Sequence, residues 1–255
     1  MRPIWIVAKN TYMEIIRDRI LYGIFVVAVL LIFLSLALGE LSFGEQQRIT
    51  TNFGLAAIQL SAMVLSIFLG STLVFREIEK KTIMTLLVRP VSRLQFLLGK
   101  CAGLLMAQVT VMAVLGCTLV LIYLGLEIPI NRMLALAMYG TFLEASVILG
   151  ITILFGIFAT PTMVIAFSLG IFLIGHWLDS LLYFTKKSES DLVRWVADGF
   201  TKIFPNFEVF NWRSAVVHED PIQLAQCLWA STYAFGWFVL TITLATVLFR
   251  RRDFN

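Results

Sequence analysis

Six long apolar runs restrict what this sequence can fold into. They cover residues 20–38, 53–75, 94–124, 133–158, 161–184 and 225–249. A helix needs about 20 apolar residues to cross the hydrocarbon core of a bilayer, and each run is close to that length or longer. Only 14% of the residues are charged, whereas soluble domains carry about 25%. The sequence therefore predicts an all-α integral membrane protein with six transmembrane helices, in one domain over residues 1–255.

Positive charge indicates the orientation in the membrane. An even number of spans places both termini on one side, and this side carries most of the basic residues outside the longest loop: Arg2, Lys9, Arg17, Arg19, Arg76, Lys80, Lys81, Arg89, Arg93, Lys100 and Arg250 to Arg252. The short loops on the other side hold only Arg48 and Arg132. Short basic loops stay in the cytoplasm. We therefore expect a multi-pass protein of the cell (inner or plasma) membrane with both termini in the cytoplasm.

Two segments outside the spans have a two-faced helical pattern. Residues 1–18 place apolar and polar side chains on two different faces at helical spacing. This pattern predicts an amphipathic helix in the inner membrane interface. Residues 185–224 form the longest polar segment, on the outer side. Within it we expect a helix that begins near Ser188 and ends at Pro205. The apolar residues that share one face of this helix are Leu192, Trp195, Val196, Phe200 and Ile203.

A basic segment at residues 76–93 interrupts the first half of the chain. Its apolar centre, residues 83–88, is too short to cross a bilayer. Pro90 stops a helix, and Ser92 with Gln95 form a capping box that starts a new one. Gly99 and Gly103 in that new helix permit close approach of another helix. The pattern indicates a short cytoplasmic helix that docks on a partner, or alternatively one that lies on anionic lipid headgroups.

The stretch REIEKKTIMTLLVRPVSRLQFLLGK resembles the ABC type-2 transporter permease family. The family pattern reads approximately E-x-E-x-G-T-x-x-x-L-L-x-x-P-V-S-R-x-x-x-x-x-G-K, and Lys81 departs from it where glycine is usual. The matching residues are Glu77, Glu79, Thr82, Leu86, Leu87, Pro90, Val91, Ser92, Arg93, Gly99 and Lys100. The six spans, the long outer segment and the basic R-R-R-D-F end also resemble the family.

The resemblance implies the membrane subunit of an ATP-driven exporter. Such a permease pairs with a second copy, as a homodimer or pseudo-dimer, and with ABC ATPase subunits on which the segment at residues 76–93 docks as a coupling helix. The implied docking residues are Glu77, Glu79, Lys81, Thr82, Ile83, Leu86, Leu87, Arg89, Pro90 and Arg93. The sequence has no G-x-x-x-x-G-K-[ST] motif, so we expect ATP and magnesium to bind the partner and no cofactor to bind this chain. Membrane lipids are expected partners, and nucleic acid is not.

Two other classes of protein remain as alternatives. A membrane enzyme would rely on Glu144, His176 and Asp179, but the G-x-S-x-G and H-E-x-x-H motifs are absent. A secondary transporter that works without an ATPase should have broken spans, and no proline interrupts a span here. Two histidines, and three cysteines without C-x-x-C spacing, exclude a metal site or a disulfide framework as the organising feature.

Polar residues inside the spans are candidates for a translocation path: Glu144, Thr141, His176 and Asp179. Inserting a carboxylate at the middle of a span costs about 2.5–3.5 kcal/mol, so Glu144 should face the interior of the bundle. Gly140, Thr141 and Thr152 lie on or near the same face of the helix. Glu144 then either bonds a neighbouring helix as a protonated acid or contacts substrate or a coupled proton. His176 and Asp179 are three residues apart and share a face. We expect them to satisfy each other near the outer boundary, or to contact a proton or substrate.

Overall fold

The computed structural model describes residues 2–41, 45–79, 92–187, 191–218 and 220–251. These residues are almost entirely helical and contain no strand. The helices are α1 (Arg2–Ile16), α2 (Arg19–Glu40), α3 (Gln46–Glu79), α4 (Arg93–Gly125), α5 (Arg132–Gly156), α6 (Pro161–Lys187), α7 (Asp191–Ile203), α8 (Arg213–His218) and α9 (Leu224–Arg251), with a 3-10 turn at Glu208–Phe210. Most of the predicted coupling segment, residues 80–91, lies outside the described residues.

The prediction of six membrane-spanning helices is confirmed. By length and apolar composition, α2, α3, α4, α5, α6 and α9 can each cross a bilayer. The capping box that starts α4 is also present, because Ser92 Oγ accepts from Gln95 N at 3.2 Å and Gln95 Oε1 accepts from Ser92 N at 3.1 Å. The Ser188 cap predicted for α7 lies outside the described residues, whereas α7 itself is present and ends before Pro205.

Helix α3 begins at Gln46, seven residues before the second apolar run. Tertiary contacts extend the helix beyond this run at its N-terminal end. Thr51 forms a hydrogen bond with the hydroxyl of Tyr123 at 2.7 Å, and Thr50 is fully buried. Arg48 forms a salt bridge with Glu45 at 3.1 Å across the first turn. Hydropathy alone does not report these contacts, so it placed the start of the helix too late.

Helices α3 and α5 form the centre of the bundle. About 72% of the α3 span and 67% of the α5 span are buried, against 22% for α2 and for α6. The two central helices approach closely, since a Cβ atom at Gly70 would lie 2.9 Å from Cγ2 of Thr152. The hydroxyl of Ser66 donates to the carbonyl of Ala145 at 3.0 Å across the same contact.

Helix α1 packs against the first turns of α4. A Cβ atom at Gly99 would lie 2.7 Å from Cβ of Val7, and one at Gly103 would lie 2.6 Å from the carbonyl oxygen of Ala8. The ammonium group of Lys100, which is buried, lies 3.6 Å from the carboxylate of Glu14. The prediction that the glycine pair admits another helix is therefore confirmed, and that helix is the amphipathic N-terminal one.

The chain between α7 and α8 enters the bundle instead of lying on its outer surface. We call residues 205–212 the inserted loop. Phe207 and Phe210 are almost completely buried, and Trp212 is 9% exposed. Two glycines make room for the loop: a Cβ atom at Gly140 would lie 2.5 Å from the carbonyl oxygen of Phe210, and one at Gly175 would lie 2.6 Å from that of Pro205.

The glycine contact between α1 and α4 gives a test of this packing. We expect Gly103→Val to lower the free energy of unfolding by about 1–3 kcal/mol, because the added side chain overlaps the α1 backbone. Gly170→Val in α6 is the matched control, since no atom lies within 4 Å of its Cβ position. Thermal unfolding of both variants in detergent measures the difference. Equal melting temperatures would contradict the described contact.

Candidate functional site in the membrane interior

Three polar side chains from three spanning helices meet inside the bundle. Gln59 of α3 donates from Nε2 to Oε2 of Glu144 in α5 at 2.8 Å. Nε2 of His176 in α6 lies 3.4 Å from Oε1 of Glu144 and 3.4 Å from Nε2 of Gln59. We call these three residues the buried polar cluster.

The cluster lies deep in the membrane region. Glu144 is at the midpoint of α5, about 18 Å of helix from either end, and is 1% exposed. The side chain of His176 is 23% exposed. Such a position is costly for an ionisable group, and ionisable groups there usually face the protein interior and carry function. The expectation that Glu144 faces the bundle is consistent with this burial.

Two atoms of the cluster lack a hydrogen bond. Among the described residues, neither Oε1 of Glu144 nor Nδ1 of His176 has a partner with hydrogen-bond geometry, although both atoms are buried. An unpaired buried polar atom costs about 1–3 kcal/mol. The cluster therefore has capacity for a further hydrogen-bonding species.

Aromatic rings and the inserted loop surround His176. The ring centroids of Phe172 and Phe207 lie 4.6 Å and 5.9 Å from that of His176. Phe207 belongs to the inserted loop, and its backbone N–H donates to the carbonyl of Gly175 at 3.2 Å. The charged side chains of Glu208 and Arg213 act electrostatically on Glu144.

Asn206 holds the inserted loop in place. Its side-chain Nδ2 donates to Oδ1 of Asp179 at 2.7 Å, and its backbone N–H donates to the hydroxyl of Tyr233 at 2.8 Å. Its Oδ1 accepts from the backbone N–H of Glu208 at 2.9 Å. One asparagine thus joins the loop to α6 and α9.

The predicted pairing of His176 with Asp179 is wrong. His176 turns inward to Glu144, whereas Asp179 accepts its hydrogen bond from Asn206. Three residues of separation place two side chains about 60° apart around a helix axis, enough for them to contact different elements. Glu144 and His176 therefore belong to one site, and Asp179 belongs to the attachment of the loop.

The threonines on the predicted face of Glu144 bond elsewhere. The hydroxyl of Thr141 donates to the carbonyl of Ala137 at 3.1 Å. That of Thr152 donates to the carbonyl of Ile148 at 2.8 Å and to Ser168 Oγ at 3.2 Å. Gln59 was not predicted, although it is a large polar side chain within the second apolar run. Asn206 carried no such signal.

Most of the predicted docking residues lie outside the described residues. They are Lys81, Thr82, Ile83, Leu86, Leu87, Arg89 and Pro90. Glu77 and Glu79 are in the last turn of α3, and Arg93 is the first residue of α4. Helices α3 and α4 thus approach the proposed docking segment from its two sides.

A cavity between α4, α5 and α9 is separate from the cluster. It has a volume of about 460 Å³, and apolar side chains such as Leu105 and Phe235 form most of its lining. Among the described residues, no group of three or more His, Cys, Asp or Glu side chains lies close enough to hold a metal ion.

Comparison with known families identifies the class of protein. The family described as ABC-2 family transporter protein matches residues 14–184. The chain belongs to this family. No curated protein matches the sequence. ABC-2 family permeases are membrane transport subunits that normally work with ABC ATPase partners, so this permease is not itself a catalytic subunit.

The hydrogen bond from Gln59 in this permease can be tested by removing its donor. We expect Gln59→Leu to lower the free energy of unfolding by about 1–3 kcal/mol, because it leaves a buried oxygen of Glu144 unpaired. Gln108→Leu in α4 is the matched control. Gln108 is buried, whereas Gln59 is half-buried, and the amide atoms of Gln108 have no hydrogen-bond partner among the described residues.

Replacing an unsatisfied buried amide by an apolar side chain of similar size should be neutral or stabilising. Thermal unfolding in detergent compares the two variants with the unmodified chain. The same loss of stability in both variants would mean that the Gln59 bond contributes nothing specific.

Proposed function

We propose that this chain is the membrane half of an ATP-driven exporter. Two copies, or this chain and a close relative, pair in the cell (inner or plasma) membrane with both termini in the cytoplasm. Two ABC ATPase subunits bind ATP and magnesium and receive the segment at residues 76–93 as a coupling helix. ATP-driven closure of the ATPases moves these helices and opens a path through the membrane domain.

The family match is the observation that carries this proposal. It covers residues 14–184 and therefore includes the whole of the proposed docking segment. Ile83, Leu86 and Leu87 would supply an apolar anchor in a cleft of the ATPase. The charged residues Glu77 and Arg93 would lie at the rim, as is usual at protein interfaces.

The lengths of the two flanking helices support this position for the segment. Helix α3 has 34 residues and α4 has 33, so each is about 50 Å long. The hydrocarbon core of a bilayer is only about 30 Å thick. Both helices can therefore extend beyond the membrane and carry residues 80–91 clear of the lipid.

The start of α4 is held by a capping box and by contacts with α1. The Ser92–Gln95 capping box fixes its first turn, and α1 is packed against Gly99 and Gly103 within the next three turns. A displacement of the coupling segment would therefore move α4 and α1 together. This is how we expect movement of the ATPase to reach the spans.

Docking can be tested by charging the apolar anchor. We expect Leu86→Asp with Leu87→Asp to abolish co-purification of the ATPase subunit, because carboxylates inside an apolar interface are costly when unpaired. Leu41→Asp is the control, since Leu41 directly follows the C-terminal end of α2, away from the segment in the sequence, and is 76% exposed. Normal co-purification of the double variant would show that the segment does not dock on the ATPase.

Orientation can be tested by labelling single cysteines in a chain that lacks Cys101, Cys117 and Cys227. We expect Ser214→Cys to react with an impermeant maleimide added outside cells, and Lys9→Cys to react only after the cells are opened. Both positions are exposed, so access to the reagent decides the result. The reverse pattern would contradict the cytoplasmic placement of the termini and of the coupling segment.

A further inference from the structure

The net charge of the buried polar cluster depends on one proton. A carboxylate beside a neutral imidazole and an amide leaves one negative charge near the middle of the bilayer. A single added proton, on Oε1 of Glu144 or on Nε2 of His176, makes the pair neutral overall, as an acid with an imidazole or as an ion pair. Because uncompensated charge at this depth is costly, the closed structure favours the bound proton.

The geometry has a place for this proton. Oε1 of Glu144 and Nε2 of His176 are 3.4 Å apart, and Gln59 already donates to the other carboxylate oxygen. Oε1 has no hydrogen bond to a described residue. A proton between Oε1 and Nε2 satisfies this oxygen after a movement of a few tenths of an ångström.

The inserted loop lies against this place. Phe207 packs against the ring of His176 and is 0% exposed. If the loop withdraws, water reaches the cluster and the cost of the ionised carboxylate falls. Two charged side chains from the same region of the chain interact electrostatically with the pair: Glu208 and Arg213 with Glu144, and Arg213 also with His176.

We propose that Glu144 and His176 form a proton-binding site in the membrane interior, which is closed by the inserted loop while the proton is bound and opens when the proton leaves toward the outer side. Binding and release involve one proton, which passes between the pair and water, and no other covalent bond changes. Coupling is reciprocal, so loss of the proton must favour withdrawal of the loop as much as withdrawal favours the loss. The site does not depend on docking of the ATPase.

The attachment of the loop fits this role. Asn206 and the backbone N–H of Phe207 hold it by three hydrogen bonds to the helices: to Asp179, to Tyr233 and to the carbonyl of Gly175. These bonds can exchange for bonds to water. The loop can therefore move without unfolding the spans.

The test measures how far the loop is open as a function of pH. Val209→Cys is placed in the half-buried part of the loop, in a chain without the native cysteines and in membrane vesicles with the outer side exposed. The rate of labelling by an impermeant maleimide is divided by that of Ser214→Cys, an exposed position in α8. This ratio corrects for ionisation of the thiol itself.

We expect the ratio to rise with pH, by at most about tenfold per pH unit because one proton is released. Glu144→Gln should abolish the rise and keep the ratio low, because its neutral amide can donate to His176 as the bound proton does. Asp198→Asn removes an exposed carboxylate of α7, outside both the pair and the loop, and should keep the rise. A flat ratio in the unmodified site, or a rise that remains in Glu144→Gln, would overturn the proposal.

His176→Phe provides a second variant in case Glu144→Gln does not reach the membrane. It keeps an aromatic ring against Phe172 and Phe207 but removes the proton acceptor, so Glu144 should hold its proton more tightly and the ratio should stay low. An unchanged rise in His176→Phe would overturn the shared site. Labelling of Ser214→Cys only from the cytoplasmic side would overturn release of the proton to the outside, and would also contradict the proposed orientation.

Discussion

The close contact between α3 and α5 is the constraint on which the rest of the bundle depends. A membrane offers no hydrophobic driving force between helices, so association relies on tight packing and on hydrogen bonds. Both are present here: Gly70 lies against Thr152, Ser66 donates to the backbone of α5, and Gln59 donates to Glu144. The remaining spans pack around this pair, and few residues of α2 and α6 are buried.

Hydropathy predicted the spans well because bilayer thickness sets the length of an apolar helix. The start of α4 was predicted for a different reason, since a capping box is a local interaction between Ser92 and Gln95. The glycine pair at Gly99 and Gly103 indicated close packing, but the sequence could not show which helix fills the space. Only the folded chain brings α1 to this position.

The site was harder to predict than the fold because it depends on which elements meet. The burial of Glu144 followed from the cost of a carboxylate in lipid. Its partners did not follow, since Gln59 and His176 come from helices distant in the sequence. Nothing local in the sequence of residues 205–212 revealed that Phe207 and Phe210 are buried.

The contact between the inserted loop and the helices is sensitive to side-chain size at Gly140 and Gly175. At each position a Cβ atom would lie within 2.6 Å of a backbone carbonyl of the loop, and a backbone atom cannot turn aside as a flexible side chain can. A single methyl group from an alanine would therefore act as a wedge between helix and loop. It would hold the loop away from the helices without adding charge or polarity, and so would give a means of separating the loop from the bundle for structural work.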